Sequence, residues 1–317
     1  MRKTVIDIGT NTILMLIADF DKQNSVIKPL LDIQKIPRLG KGVDKNRNIP
    51  PESVEKAIEI LNEYKKISNE HKSEQIITTA TSFIRDANNR DEFIKSVNES
   101  TGIKIEILSG EDEARWTFWG GVYDKLKITN YKLRIASIDI GGGSTEITTG
   151  TVKQLPISDK VLKETEITSK SLDIDSVRVN ERFLSSHPPA FESVAEAENF
   201  INEHFRQIDF NLTNTHLIGV AGTITTLGAV KLKLDKFESA KVDGLVITID
   251  EIEHILSTLS AQSLEELYLM GDYMTGRADI IIPGILILKC FIRKFGFEKI
   301  TISTKGLRYG IFLREVL

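Results

Sequence analysis

Residues 137–150 read SIDIGGGSTEITTG, in which three glycines in a row follow an apolar run that contains one aspartate. Without β-carbons, a tight turn can bring successive backbone N–H groups within hydrogen-bonding distance of a phosphate. Asp139 and Glu146 have the wrong charge for a phosphate, which predicts a Mg²⁺ that bridges them to it. A glycine-rich hairpin with solvated acids is the alternative. The predicted phosphate-binding residues of this stretch are Gly141, Gly142, Gly143 and Ser144.

A second stretch, 4-TVIDIGTNTILMLIADF-20, repeats the pattern when Asp7 is placed over Asp139. Each copy has an apolar strand, Asp-Ile-Gly, a small polar turn and a second strand, which predicts a β-hairpin. Two such hairpins indicate an internal duplication with one copy in each domain, and the repetition weakens the solvated-acid alternative. The first copy adds Asp7 as a metal ligand, and its predicted phosphate-binding residues are Thr10, Asn11 and Thr12.

A third glycine turn, GVAGT at 219–223, follows a predicted strand and opens a predicted helix. The N-terminus of a helix can bind an anion through its free N–H groups. Gly222 and Thr223 are therefore further candidates for phosphate binding. An ordinary strand-to-helix turn is the alternative here.

Composition limits the class of protein. The 317 residues are 41% hydrophobic and 27% charged, which is typical of a globular chain with two domains. A net charge of −4 provides no global basic field for nucleic acid. The single cysteine, Cys290, allows no internal disulfide, and the apolar run at 280–288 is too short to span a bilayer. We therefore expect a cytoplasmic protein without nucleic-acid or membrane partners.

Strands alternate with helices along the chain, which predicts an α/β architecture. Helices are predicted at 50–70, 110–123 and 305–316, and a strand from residue 75 is predicted to give way to a helix near Ser82. We predict domain I at 1–127 and domain II at 128–317, with the last helix (305–317) packing back on domain I.

Segments from one end of the chain to the other resemble the exopolyphosphatase / guanosine pentaphosphate phosphohydrolase (Ppx/GppA) family in its short two-domain form. The resemblance implies an α/β fold with two duplicated ribonuclease-H-like domains of the actin-like ATPase superfamily and an inter-domain cleft. The segments are IDIGTNT (6–12), PRLGKGVD (37–44), TATSFIRDANN (79–89), LSGEDEARW (108–116), IDIGGGSTE (138–146), VAGTITTL (220–227), RADIIIPG (277–284) and KGLRYG (305–310).

The resemblance also implies roles for two side chains. Glu113 corresponds to the family's catalytic base, whereas the residues alone do not choose among Glu111, Asp112 and Glu113. Arg85 is implied to meet the phosphate that is cleaved, and a planar guanidinium suits a phosphoryl group. Weaker candidates for the path of the polyanion are Arg38, Arg277 and Arg308.

The function implied by the resemblance is a phosphoanhydride hydrolase. It would release orthophosphate from the end of polyphosphate, convert guanosine pentaphosphate (pppGpp) to ppGpp, or do both, with water activated by Glu113. Mg²⁺ is the expected cofactor, with Mn²⁺ as the alternative. The oligomeric state is left open, and a homodimer is one of the alternatives. A non-catalytic nucleotide or (p)ppGpp sensor and an ATP-dependent small-molecule kinase are the competing functions. Glu113 favours the hydrolase, because a pure binder needs no base to activate water.

Overall fold

The computed structural model describes residues 1–40, 47–123, 133–152 and 157–317. The chain divides into two compact units: unit 1 comprises Met1–Tyr123, Leu155–Glu164 and Gly306–Leu317, and unit 2 comprises Asp124–Gln154 and Thr165–Lys305. The predicted domain boundary at 127/128 lies outside the described residues, as does the end of the PRLGKGVD segment.

The secondary structure alternates between strands and helices. The strands are β1 (Arg2–Ile8), β2 (Ile13–Asp21), β3 (Val26–Lys35), β4 (Gln75–Ala80), β5 (Ile105–Ile107), β6 (Leu133–Ile140), β7 (Thr145–Val152), β8 (Ile167–Leu172), β9 (His216–Val220), β10 (Val246–Thr248) and β11 (Lys299–Ile302). The helices are α1 (Pro51–Glu70), α2 (Ser82–Arg85), α3 (Arg90–Thr101), α4 (Gly110–Val122), α5 (Asp159–Glu164), α6 (Ser176–Phe183), α7 (Phe191–Phe205), α8 (Ala221–Lys231), α9 (Ser239–Val242), α10 (Ile249–Ser260), α11 (Leu264–Tyr268), α12 (Ile281–Phe295) and α13 (Leu307–Val316).

Unit 1 is built on a sheet with the strand order β3-β2-β1-β4-β5. β1, β2 and β3 pair antiparallel, whereas β4 runs parallel to β1, and β5 runs parallel to β4. This is the strand order of the ribonuclease-H-like fold, so the predicted α/β fold class is confirmed here. The core between this sheet and its helices contains Leu61, Tyr64, Phe93 and Val97.

Unit 2 repeats the arrangement in the order β8-β7-β6-β9-β11, with β10 added at the edge. The two hairpins have the same register: Asp7 pairs with Leu14 between β1 and β2, and Asp139 pairs with Glu146 between β6 and β7. The duplication predicted from the sequence is therefore present in the strand pairing.

Residues 157–164, which fall within the predicted domain II, are part of unit 1. Arg115, on α4, donates from Nη2 to the carbonyl oxygen of Leu162 at 2.8 Å. Val161 and Leu162 are buried. The apolar side chains and the Arg115 hydrogen bond together hold α5 in unit 1. The position of α5 along the chain does not indicate this placement.

The C-terminal helix α13 belongs to unit 1 and packs closely on α4. Glycine makes the approach possible, because a β-carbon at Gly310 would lie 1.7 Å from the carbonyl oxygen of Trp116. The guanidinium of Arg314 donates to both carboxylate oxygens of Glu106, at 2.8 and 2.6 Å. Lys3 donates from Nζ to the carbonyl oxygen of Glu315 at 2.8 Å. These contacts hold α13 against the sheet and against α4, the helix that carries Glu113.

Replacing Gly310 by alanine is expected to lower the free energy of unfolding by about 3 kcal/mol, because the added methyl group forces two helix backbones apart. In an uncrowded helix the same change stabilises by about 1 kcal/mol, so the sign is informative. Urea unfolding followed by circular dichroism measures the effect. Glu99→Ala, at an exposed position of α3, is the control and is expected to change stability by less than about 0.5 kcal/mol. A stability of Gly310→Ala equal to that of the wild type would contradict the packing argument.

Within the described ranges, no helix is long and apolar enough to cross a membrane. The apolar run that begins at residue 280 forms α12, a helix of 15 residues. Its residues Ile285, Leu288 and Phe291 are buried in the core of unit 2.

Candidate active site

Three loops of unit 1 meet at one edge of its sheet. β1, β4 and β5 are parallel, with Asp7 beside Thr79 and Ala80 beside Ile107. The carboxyl ends of parallel strands therefore lie together, and ligands commonly bind at such an edge. The hairpin turn 9–12, helix α2 and helix α4 follow these strand ends directly.

Arg85 and Glu113 form an ion pair at this edge. Nη1 of Arg85 donates to Oε2 of Glu113 at 3.0 Å and to the carbonyl oxygen of Leu108 at 3.1 Å. The Glu113 side chain is 10% exposed and that of Arg85 is 21% exposed. The structure thus brings the two predicted catalytic residues into direct contact.

The neighbouring acids have different surroundings. Ser109 is the N-cap of α4: its Oγ accepts from the backbone N of Asp112 at 3.0 Å and donates to Oδ2 of Asp112 at 2.7 Å. Glu111 and Asp112 are exposed, whereas Glu113 is buried. The geometry therefore separates Glu113 from the two acids that the residue pattern left as alternatives.

The hairpin turn of unit 1 is fixed by a second segment. Within the turn, the backbone N of Gly9 donates to the carbonyl oxygen of Thr12 at 2.9 Å. From the second segment, the backbone N of Arg38 donates to the carbonyl oxygen of Asn11 at 3.1 Å. The backbone N of Gly40 donates to the carbonyl oxygen of Thr10 at 2.9 Å. A trans peptide points its N–H opposite to its C=O. The N–H groups of Asn11 and Thr12 therefore face away from the 38–40 segment.

Asp7 lies at the end of β1 beside this turn. It is 7% exposed, and its Oδ1 has no hydrogen-bond partner in the part of the chain that the structure describes. Burial raises the pKa of Asp7 to about 7, and the nearby positive charge of Arg308 acts in the opposite direction. Arg308 itself donates to both carboxylate oxygens of Asp32, at 2.8 and 3.0 Å. A buried carboxyl with an unpartnered oxygen suits a cation.

The turn of unit 2 has the equivalent geometry. Gly141 N donates to the carbonyl of Ser144 at 3.1 Å, and no hydrogen bond of the Gly142 or Gly143 N–H is found with residues that the structure describes. Oε1 of Glu146 accepts from Oγ of Ser171 at 2.8 Å. The turn offers backbone donors, and Asp139 and Glu146 lie side by side on the two strands that flank it.

Arg277 contacts the third glycine turn. A β-carbon at Gly222 would lie 1.7 Å from Nη1 of Arg277, so the guanidinium packs directly on the glycine. Burial lowers the pKa of Arg277 to about 10. Its guanidinium has no hydrogen bond or ion pair with any described residue. The sequence ranked Arg277 among the weaker candidates, but a half-buried guanidinium without a carboxylate partner is suited to an anionic ligand.

Thr223, predicted to bind phosphate, contacts the end of β6. It is buried, and its Oγ1 donates to the carbonyl oxygen of Ile140 at 3.2 Å, so this hydroxyl ties α8 to the end of β6. Ala221, which precedes Gly222, has a φ of 68°, a backbone conformation that is costly for a residue with a β-carbon. Thr223 therefore orders the turn, and strain is stored beside it.

The predicted metal ligands do not form a closed cage. Among residues 1–40, 47–123, 133–152 and 157–317, no group of three or more His, Cys, Asp or Glu side chains is placed to hold a metal ion. Mg²⁺ does not require such a cage, since it is usually held by one or two carboxylates together with phosphate oxygens and water. The unpartnered oxygen of Asp7 fits that mode of binding.

The chain is similar to phosphatases over almost its whole length. The profile of the Ppx/GppA phosphatase family matches residues 16–317. The bifunctional 3-dehydroquinate synthase/phosphatase of Fusobacterium nucleatum is 35% identical, and the match covers 98% of this chain and 46% of that protein. Exopolyphosphatase 2 of Mycobacterium tuberculosis is 29% identical, with 98% of each chain covered.

Solved structures have the same fold. An Aquifex aeolicus Ppx/GppA family member superimposes with a TM-score of 0.81 at 28% identity, covering 100% of this chain and 97% of that one. A Cytophaga hutchinsonii exopolyphosphatase superimposes with a TM-score of 0.85 at 25% identity, covering 100% and 99%. Sequence and structure agree, and the chain belongs to the Ppx/GppA phosphatase family.

Proposed function

We propose that this protein hydrolyses terminal phosphoanhydride bonds of inorganic polyphosphate, of pppGpp, or of both. The observation that carries the proposal is the ion pair of Glu113 and Arg85 at the carboxyl edge of the unit 1 sheet. The name of the Mycobacterium tuberculosis relative, exopolyphosphatase 2, supports polyphosphate as a substrate.

Glu113 is proposed as the general base. Its carboxylate is largely buried and is fixed by Nη1 of Arg85 at 3.0 Å, so it is held in one orientation. A positioned carboxylate can accept a proton from water as the oxygen attacks phosphorus. The products would be orthophosphate and a polyanion that is shorter by one phosphate.

Arg85 is proposed to stabilise the phosphoryl group during its transfer. Its guanidinium is permanently charged and planar, and it presents several N–H donors to the equatorial oxygens. Its Nη1 also donates to Oε2 of Glu113. Arg85 therefore orients the base and offers its positive charge to the substrate.

The turns of each unit supply further anion-binding groups. In unit 1 this is the N–H group of Thr12, and in unit 2 they are the 141–144 turn and Arg277. Preorganised donors of this type stabilise anionic oxygens without reorganisation during the reaction.

We propose Mg²⁺ as cofactor, with Mn²⁺ as the alternative. Asp7 would hold it in unit 1, and Asp139 and Glu146 are the candidate ligands in unit 2. The bound ion would supply charge neutralisation of the phosphate oxygens, which otherwise repel an attacking water.

The direct test is orthophosphate release by the purified wild type from polyphosphates of several defined lengths and from pppGpp, with ATP as comparison. Each substrate is assayed with Mg²⁺, with Mn²⁺ and with EDTA. Release from at least one of the first two substrates, dependent on a divalent ion, is expected. Wild-type inactivity on all of them, together with tight binding of pppGpp, would replace the proposal with a sensor function.

Replacing Arg277 by methionine is expected to raise KM for polyphosphate about tenfold, because one or two charge-assisted hydrogen bonds to the polyanion are lost. The salt dependence of KM should also become weaker, since one cation no longer takes part. Initial rates at several salt concentrations measure both effects. Arg293→Met, which removes an exposed arginine of α12 that pairs with Glu253 of α10, is the control and should leave KM unchanged. An unaltered KM in Arg277→Met would exclude Arg277 from the substrate path.

A further inference from the structure

The carbonyl group of Gly141, which begins the glycine turn of unit 2, accepts two hydrogen bonds from one residue. Ser176 donates to it from Oγ at 3.1 Å and from the backbone N at 3.3 Å. Ser176 is 1% exposed and is the first residue of α6. Asp175 is the N-cap of this helix and accepts from the backbone N of Arg178 at 2.8 Å. The two donors of Ser176 are thus held in place by the start of a helix.

These hydrogen bonds use the acceptor that a closed turn would need. In a closed four-residue turn, the carbonyl of the first residue accepts the N–H of the fourth. In the 141–144 turn that bond is absent, because Gly141 donates to the Ser144 carbonyl but no return bond from the Ser144 N–H is found in the described part of the chain. Ser176 occupies the carbonyl that the Ser144 N–H would otherwise use.

The orientation of a second donor follows from the same contact. In a trans peptide, the N–H of Gly142 points opposite to the C=O of Gly141. Because Ser176 holds that carbonyl, the plane of the Gly141–Gly142 peptide is fixed. The Gly142 N–H must then face away from α6.

We propose that Ser176 is a positioning residue that holds the glycine turn open, leaving the N–H groups of Gly142 and Ser144 available to phosphate oxygens. Ser176 itself does not touch the substrate. The inference rests on the proposed function for the kinetic part of its test, but the state of the turn can be measured without substrate.

The first experiment is amide hydrogen exchange of the Ser144 N–H in the substrate-free protein, measured by NMR. Ser176→Pro removes both donors, and proline is well tolerated as the first residue of a helix. With the Gly141 carbonyl vacated, the turn can close, and we expect Ser144 exchange to become severalfold slower than in the wild type. A merely destabilising change would make exchange faster, so an unchanged or faster rate would overturn the proposal.

The second experiment compares kinetics of phosphate release. Ser176→Ala removes one hydrogen bond and is expected to raise KM about threefold to tenfold, with kcat within about twofold of the wild type. Ser176→Thr keeps the hydroxyl and should have the KM of the wild type. Thr258→Ala, which removes an exposed hydroxyl bonded within α10, is the control. Melting temperatures show that each variant is folded. An active wild type with an unchanged KM in Ser176→Ala would refute the positioning role alone, whereas an inactive wild type would refute the proposed function.

Discussion

Replacing Glu113 by glutamine is expected to lower kcat for phosphate release by about 10²- to 10⁴-fold, the usual contribution of a positioned general base. Glutamine has the same shape and can still contact Arg85, but its amide does not accept a proton at neutral pH. Substrate binding should change little, because the loss concerns the reacting water. Release of orthophosphate from polyphosphate, measured at saturating substrate, gives the effect on kcat.

The control for this experiment is Glu111→Gln in the same helical turn. Glu111 is exposed at the start of α4, where it contributes only to the favourable field at a helix N-terminus. Its replacement should leave kcat within about twofold of the wild type. Equal rates in Glu113→Gln and the wild type would remove Glu113 from its role, and a loss in Glu111→Gln alone would move the base to that residue.

The hairpins and their register could be predicted from the sequence because each carries its own local signal. Alternating apolar residues, Asp-Ile-Gly and a polar turn define two strands and the connection between them. Strands β3 and β8 were not predicted. Both lie next to the outer side of their hairpins, β3 is largely exposed, and it contains Pro29 beside an irregularity in its pairing with β2. Proline is tolerated at an edge, where one row of hydrogen bonds is not required.

The site was only partly predictable for a related reason. Family resemblance pointed to Glu113 and Arg85, and their contact requires only that β4 and β5 be neighbours. The closeness of Arg277 to Gly222 depends on how α12 packs against α8, which no local pattern encodes. The same holds for Ser176, whose hydroxyl reaches a carbonyl 35 positions away in sequence. Contacts of this kind come from tertiary packing.

Replacing Asp7 by asparagine is expected to raise the free energy of unfolding of the metal-free protein by about 2–4 kcal/mol at pH 8 and by little at pH 4. Burial raises the pKa of Asp7 from 3.8 to about 7. At pH 4 the folded protein holds a neutral carboxyl, and the unfolded chain gains little by ionising it. Above pH 7 the folded protein must hold a desolvated carboxylate that the unfolded chain would solvate. The advantage of the variant should therefore grow as the pH rises from 4 to 7.

Urea unfolding in EDTA across this pH range measures the difference, and Asp19→Asn provides a control of opposite sign. The hydrogen bonds from Arg2 hold the pKa of Asp19 below its ordinary value, so that replacement should destabilise the protein above pH 4. Added Mg²⁺ should stabilise the wild type at pH 8 more than Asp7→Asn, because a cation near Asp7 offsets the buried charge. A buried carboxylate that lowers the stability of the fold is expected where its charge is needed for function. Equal stability of Asp7→Asn and the wild type at pH 8 would show that the ionised Asp7 does not destabilise the fold. That result would contradict the structural argument for a cation at Asp7.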